Sequence, residues 1–321
     1  MKKKLRIGIL FGGKSAEHEV SLESAKNVIS ALNKKKYKVK PIKIGKDGQF
    51  NFNNLKNFNV VFPVLHGPFG EDGSMQGLLK LAGIPYVGAG VLGSAVSMDK
   101  DVMKRLLRDA GIPIGKFITI SNGKKINFKK IKKELGLPLF IKPANMGSSV
   151  GVSKVRNETE FKRALREAFK FDTKIVIEEF IDGGEIECAV LGNETPTASI
   201  PGEIIANQEF YSYDAKYIDH SSVSEIPAKL DKNTIKKIQE LAVKTFEVLN
   251  CEGMGRVDFF LKKNGEVLVN EINTIPGFTN ISMYPKLWEA SGIPLPKLLD
   301  ILIDLAIARF KRESKLKTTV K

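Results

Sequence analysis

Two stretches near the C-terminus, GMGRVDFFL (residues 253–261) and VNEINTIPGFT (residues 269–279), flank Lys263-Asn264-Gly265. Asn-Gly between two apolar runs is a hairpin signal, so the pair predicts two antiparallel strands. Side chains two apart on a strand share a face. Arg256 therefore sides with Asp258, and Glu271 with Asn273, and four polar or charged groups can converge on one cleft. Two carboxylates and an amide are hard oxygen donors of the kind that suits magnesium, which keeps waters and adds substrate phosphates. Solvated charges on a surface hairpin are the plain alternative for this segment taken alone. The loop that follows, Asn273-Thr274-Ile275-Pro276-Gly277, is rigid and able to present a backbone N–H to an anion.

Upstream, Leu137 to Val155 reads as strand, loop, strand, with Gly147-Ser148-Ser149-Val150-Gly151 as the loop and Lys142 ahead of it. Glycines let a backbone aim its N–H groups at a phosphate, and serines add hydroxyl donors. No Walker motif is present, and in isolation such a loop is more often an ordinary hairpin turn. Asn157 and Glu160 open a helix as a capping-box variant, with Phe161, Ala164, Leu165, Ala168 and Phe169 as its apolar positions. A strand over Lys174 to Ile181 closes this unit, and Asp182-Gly183-Gly184 is the expected hinge out of it. The region beyond contains the polar-aromatic stretch Glu209 to Ser224, a helix over Ile235 to Leu249 and a closing helix over Lys297 to Phe310.

At the other end, Leu5 to Phe11 is an apolar run ending in Gly12-Gly13, and Leu22, Ala25, Ile29 and Leu32 then recur at helical spacing. A second run, Val60 to Leu65, ends at His66-Gly67, and a short one precedes Tyr86-Val87-Gly88. Repeated strand-turn-helix units predict a parallel sheet, whose strand C-termini collect ligands. Glu17 precedes the first helix, where a carboxylate can bind an ammonium group or simply complement the helix dipole. From Asp99 the pattern changes to a helix carrying Val102, Met103, Leu106, Leu107 and Ala110, stopped by Gly111, then a strand over Phe117 to Ile120.

The 321 residues are 42% hydrophobic and 27% charged, which excludes disordered, collagen-like and coiled-coil classes. Lys and Arg outnumber Asp and Glu by 51 to 36, a formal charge of +15. The lysines are scattered without interleaved aromatics, so a solvated basic surface is expected and no nucleic-acid partner. Cys188 and Cys251 form no CxxC pair, which predicts a reducing compartment, hence the cytoplasm, without disulfides or a cysteine zinc site. The basic, then apolar, N-terminus runs into glycines and has no small-residue cleavage site. The best apolar candidate, Leu298 to Phe310, is broken by Asp300 and Asp304, so no membrane partner is expected.

FGGKSAEHEVS, VLHGPFGEDGSMQGLL, MDKDVMKRLL, LFIKPANMGSSVGVSKV, YDAKY, GMGRVDFFL and VNEINTIPGFT occur in this order over about Leu5 to Phe310. The combination resembles the D-alanine:D-alanine ligases of the ATP-grasp superfamily. The resemblance implies an α/β fold, with α+β character in the ATP-grasp part. Three domains follow from it: an N-terminal parallel-sheet substrate domain (1–98), a central lobe (99–183) and a C-terminal lobe with metal and substrate sites (184–321). It implies that Lys100 and Lys142 meet the ATP phosphates under a lid of Ser148, Ser149 and Val150. Glu178, Glu179, Phe180 and Ile181 would line the adenine pocket, with Glu185 on the ribose. Asp258, Glu271 and Asn273 would hold two magnesium or manganese ions. Glu17 would take the ammonium of the first D-alanine, with His66 near its carboxylate, and Arg256 and the Gly277 N–H would form an oxyanion site. Lys216 and Ser282 would hold the second carboxylate, and Tyr217 would hydrogen-bond with Ser148 and Glu17, tying its own loop to the lid. Tyr217 also resembles the dipeptide-forming members rather than the ester-forming ones, and a homodimer is implied.

Overall fold

The structure, a computed structural model, describes residues 4–205, 223–317 and 319–320. β1 (Leu5–Gly12) lies between β2 (Tyr37–Ile44) and β3 (Val60–Val64), parallel to both. Its central residues are buried on both faces, which is why the sequence is continuously apolar there rather than alternating. α1 (His18–Ala31) crosses from β1 to β2 and buries Ala25 and Val28. Its buried stripe also takes in His18, Ser21 and Ser24, whereas Leu22 and Ile29 of the expected apolar set are only partly covered. α2 (Ser74–Leu81) places Leu79 on the opposite face of the sheet, in a core with Leu10 and Val61. The short strand expected before Tyr86 is a single parallel bridge from Val61. Pro85 has no N–H to extend the ladder, and Gly83 and Gly88, both at positive φ, turn the chain on either side.

α3 (Val91–Met98) and α4 (Lys100–Asp109) lead to an antiparallel sheet in the order β4-β7-β5-β6, formed by β4 (Phe117–Ser121), β5 (Leu139–Pro143), β6 (Ser153–Val155) and β7 (Lys174–Glu179). α5 (Phe128–Leu135) and α6 (Glu158–Ala168) close it by packing Ile131, Phe161 and Ala164 over Leu139, Ile141 and Ile177. The expected cap is present: the Glu160 N–H donates to Asn157 Oδ1 (3.0 Å) and the Arg156 N–H to Glu160 Oε2 (2.8 Å). β7 stops at Glu179, leaving Phe180 and Ile181 out of the ladder.

The third sheet contains β8 (Gly183–Gly192), β9 (Thr197–Ala198), β10 (Gly202–Ile205), β11 (Val223–Glu225), β12 (Gly253–Lys262) and β13 (Val267–Asn273), ordered β11-β10-β8-β12-β13 with β9 on β8. α7 (Lys232–Val248) packs Ile238 and Phe246 against Val257 and Phe259, and α4 adds Met103 and Leu107 to that core. After α8 (Met283–Ala290), α9 (Leu295–Glu313) returns to the first sheet, where Leu298, Leu302 and Ile303 share a core with Ile7, Ile9 and Phe62. Cys188 and Cys251 are buried and unbridged, and burial pushes both thiols up to about 12, so they stay protonated at neutral pH. Among the described residues no helix is long and apolar enough to cross a membrane.

Candidate active site

The β12–β13 hairpin turns where Asn-Gly predicts, with the Gly265 N–H donating to Lys262 O (2.9 Å). Its register sets Arg256 opposite Asn273 and Asp258 opposite Glu271, then shifts after Asp258 so that Phe259 faces Val269. Asn270 is the extra residue of this bulge, a device that re-aims side chains beside a site. On the other side of β12, Asp258 faces Glu187 of β8, so three carboxylates lie in a row across three strands. The Arg256 guanidinium is their counterion: it grips both oxygens of Asp258 (2.7 and 2.7 Å), and its Nε lies 3.0 Å from Glu187 Oε2. Asn273 Nδ2 donates to Asp258 Oδ2 (3.0 Å), and Lys100 Nζ pairs with Glu271 Oε2 (3.2 Å). Among the described residues no group of three or more His, Cys, Asp or Glu is disposed to hold a metal. Asp258, Glu271 and Asn273 nevertheless form a hard oxygen set, and two carboxylates that each already draw a cationic side chain fit an ion that also leans on substrate phosphates.

A cavity of about 1150 Å³, counting its open mouth, lies between the second and third sheets. Lys100, Lys142, Ser148, Ser149 and Glu185 line it, as do Glu178 and Glu179 at the end of β7 and Phe180 and Ile181 just beyond it; Val150 is not among its lining residues. Phe180 and Ile181 leave the ladder early and become apolar wall. Lys142 Nζ lies 2.5 Å from Glu178 Oε2, and Lys104 Nζ, from α4, lies 3.1 Å from the other oxygen. Burial pushes the Glu178 carboxyl up, but the two lysines outweigh it and hold it below the usual range. Burial holds the Lys104 ammonium below its usual range, against the pull of Glu178. The Gly147–Gly151 loop makes two tight turns, with Ser148 and Ser149 at φ +50 and +59. Lys100 Nζ donates to Met146 O (2.8 Å), anchoring the start of the loop.

Ser148 and Glu271 also border a second cleft, of about 760 Å³, between the first and third sheets. Glu17, His66, Arg256, Gly277 and Ser282 line it. Ser148 Oγ donates to Glu17 Oε1 (2.5 Å), joining the glycine-serine loop to the N-terminal sheet. Glu17 is cradled by glycine: a Cβ on Gly67, at φ +71, would stand 2.9 Å from its Oε2, and one on Gly147 3.2 Å. His66 Nδ1 lies 2.9 Å from Ile275 O and must donate to it, leaving Nε2 as an acceptor in the neutral ring. Burial, offset only in part by Glu17, holds that ring below its ordinary range. Ser282 Oγ accepts from the Thr279 N–H (2.9 Å) and stands where a Cβ on Gly277 would collide at 2.6 Å, so the chain approaches closely at Gly277. Lys216 and Tyr217 lie outside the described residues.

Models of the D-ala D-ala ligase C-terminus and N-terminus match residues 106–304 and, in two pieces, residues 6–58 and 51–89. This chain belongs to the D-alanine–D-alanine ligase family. A D-alanine–D-alanine ligase of Oceanobacillus iheyensis is 50% identical, with 99% of each chain covered. The solved ligase of Coxiella burnetii is 42% identical at a TM-score of 0.88, covering 97% of this chain and 96% of that one. The ligase of Bacillus anthracis solved with ATP is 32% identical at 0.83, covering 96% and 99%. The Oceanobacillus alignment spans 364 positions against 321 residues here, so that relative has residues without counterpart. The two N-terminal matches overlap at 51–58, which puts the break at the 3-10 turn Phe52–Asn57 between β2 and β3.

Among the described residues, every expected site residue except Val150 borders one of these spaces, apart from Asp258, which sits behind Arg256. The sequence reading assigned no role to Lys104, Glu187 or Glu71. Lys104 and Glu71 lie inside quoted motifs, MDKDVMKRLL and GPFGEDG, yet nothing in one sequence separates them from surface charges. Glu187 could be found only once β8 was known to pair with β12.

Proposed function

We propose that this chain joins two D-alanine molecules to D-alanyl-D-alanine with hydrolysis of ATP to ADP and phosphate, supplying peptidoglycan precursors. The observation that carries the reading is the meeting of two spaces at Ser148 and Glu271: one walled by lysines, the other by Glu17, Arg256 and the Gly277 loop. Glu17 holds the ammonium of the first D-alanine, leaving its carboxylate toward Arg256 and the nucleotide cavity. A carboxylate oxygen attacks the γ-phosphorus in line, ADP departs and an acyl phosphate forms, while Lys100 and Lys142 offset phosphate charge. Asp258, Glu271 and Asn273 would hold two magnesium or manganese ions, which when bound spread the charge of the transferred phosphoryl group. The second D-alanine, its carboxylate on Ser282 and Lys216, attacks the acyl carbon through its free amine. Arg256 and the Gly277 N–H stabilise the tetrahedral oxyanion, phosphate leaves, and the amine gives up its proton. Water would hydrolyse the acyl phosphate, so the Ser148–Glu17 bond serves by keeping the two spaces joined and closed, with Tyr217 as a third member.

His66 presents a neutral ring beside the first D-alanine. Val150, with Ser148 and Ser149, belongs to the phosphate lid, and Glu178 to Ile181 with Glu185 take adenine and ribose. The division at 98 and 183, a homodimer, and residence in the cytoplasm complete the reading. Phosphate release with ATP and magnesium tests it, comparing D-alanine, L-alanine and D-alanine plus D-lactate, with products weighed by mass spectrometry. Release that needs D-alanine, yields the dipeptide and stops with EDTA is expected. Turnover with some other acid and amine only would reassign Glu17, Lys216, Tyr217 and Ser282.

A further inference from the structure

Ile275 follows β13 in sequence, yet both of its backbone polar groups are claimed by side chains of the N-terminal unit. Its N–H donates to Glu71 Oε1 (2.9 Å), and its carbonyl accepts from His66 Nδ1 (2.9 Å). The second oxygen of Glu71 accepts from the Gly67 N–H (2.8 Å), so one carboxylate ties the loop after β3 to the loop after β13. The pattern continues along the chain: the Phe278 N–H donates to Ser24 Oγ (3.1 Å), and Asn27 Nδ2 to Phe278 O (3.0 Å). Behind the loop the Phe278 ring packs edge-on against Phe62 and Tyr284, both at 5.8 Å. Gly277, whose N–H faces the substrate cleft in the functional reading, lies between the two clamped residues. Its own position therefore depends on side chains of α1 and of the loop after β3, in the N-terminal unit.

We propose that Glu71 is a positioning residue, which sets the Gly277 backbone at the height the oxyanion needs by holding Ile275 and Gly67 together. The proposal deepens the functional reading and rests on it. Three features support it beyond the distances. Glu71 is nearly fully buried in the wall of the same cleft, which is costly for a carboxyl without a task. It borders the substrate space without taking part in any proposed chemical step. Burial, with the charge of Glu17, pushes its carboxyl up to about 8, despite two N–H donors and Arg256, a cost paired acceptors on the surface would not incur. Glu17 and Glu71 thus divide labour, one facing the substrate ammonium and the other facing backbone.

The test is Glu71→Gln in the full chain. An amide can accept from one of the two N–H groups, but its NH₂ must then face the other. The expected result is a kcat lowered about tenfold, with the KM values for D-alanine and for ATP both within twofold, because an oxyanion donor is engaged only in the transition state. An unchanged kcat in a folded variant overturns the proposal, as does a loss carried by the KM for D-alanine or ATP with kcat intact. Hydrogen exchange on the unaltered protein keeps the test open if the variant fails to fold. Strong, ATP-independent protection of the Ile275, Phe278 and Gly67 amides supports the clamp, and exchange at exposed-loop rates overturns it. If the unaltered protein releases no phosphate with D-alanine, the functional reading fails while the exchange result still decides the clamp.

Discussion

Arg256 shows how one side chain can hold a site together while being the donor proposed for its chemistry. Its fork neutralises Asp258 and approaches Glu187, in a row where two carboxylates face each other across β8 and β12. Removing it withdraws the donor proposed for the oxyanion and leaves two partly buried acids without that counterion. Arg256→Ala is expected to lower kcat by about 10²-fold or more, the usual cost of an oxyanion donor. Steady-state phosphate release checks this, and a rate near that of the unaltered protein would remove Arg256 from the mechanism. That Arg256 and Asp258 share a face was legible from alternation. That Glu187 joins them was not, because register across β8 is a property of paired strands and no residue near Glu187 announces it.

At the scale of elements, local signals served well wherever they were chemically self-contained. The Asn157–Glu160 cap depends on residues three apart, and it formed as read. Asn157→Ala should lower stability by about 1 kcal/mol while kcat stays the same, since α6 touches neither cleft. Urea midpoints measured with activity at each concentration would decide it, and a loss of activity without loss of stability would contradict the placement of α6. Signals failed where an element serves something distant. α1 looked like a helix with Leu22, Ala25, Ile29 and Leu32 on its inner face; Ala25 and Leu32 are buried, but the face also turns serines inward because Ser21 Oγ accepts from the Gly12 N–H and Ser24 Oγ from the Phe278 N–H. The run before Tyr86 looked like a strand and became one bridge, because proline and two positive-φ glycines leave no ladder to extend.

For the whole molecule, titration of buried groups links the site to global stability. The His66 ring takes up a proton near pH 6.5 once exposed, but burial holds it neutral in the fold. The unfolded chain therefore binds more protons below about pH 6.5, and stability falls as the pH drops through that range. The Glu71 carboxyl, pushed up to about 8, works in the opposite sense, so the His66 contribution is read as a difference. The urea midpoint of the unaltered protein should fall relative to that of His66→Gln from pH 7.5 to 5.5, and parallel slopes in the two proteins would refute the linkage. The same scale separates what was legible from what was not. Length, composition, the hairpin, the glycine-serine loop and the ordered motifs were enough to specify β1, β3, the strands of the second sheet, the β12–β13 hairpin, the family resemblance and most of the lining residues, because each depends on neighbours in the chain. The return of α9 to the first sheet, the packing of α4 beneath α7, the carboxylate row over β8, β12 and β13, and the hold of Glu71 on Ile275 were decided by tertiary structure. Each joins residues far apart in sequence, and their value comes from burial and register, which exist only once the sheets have packed.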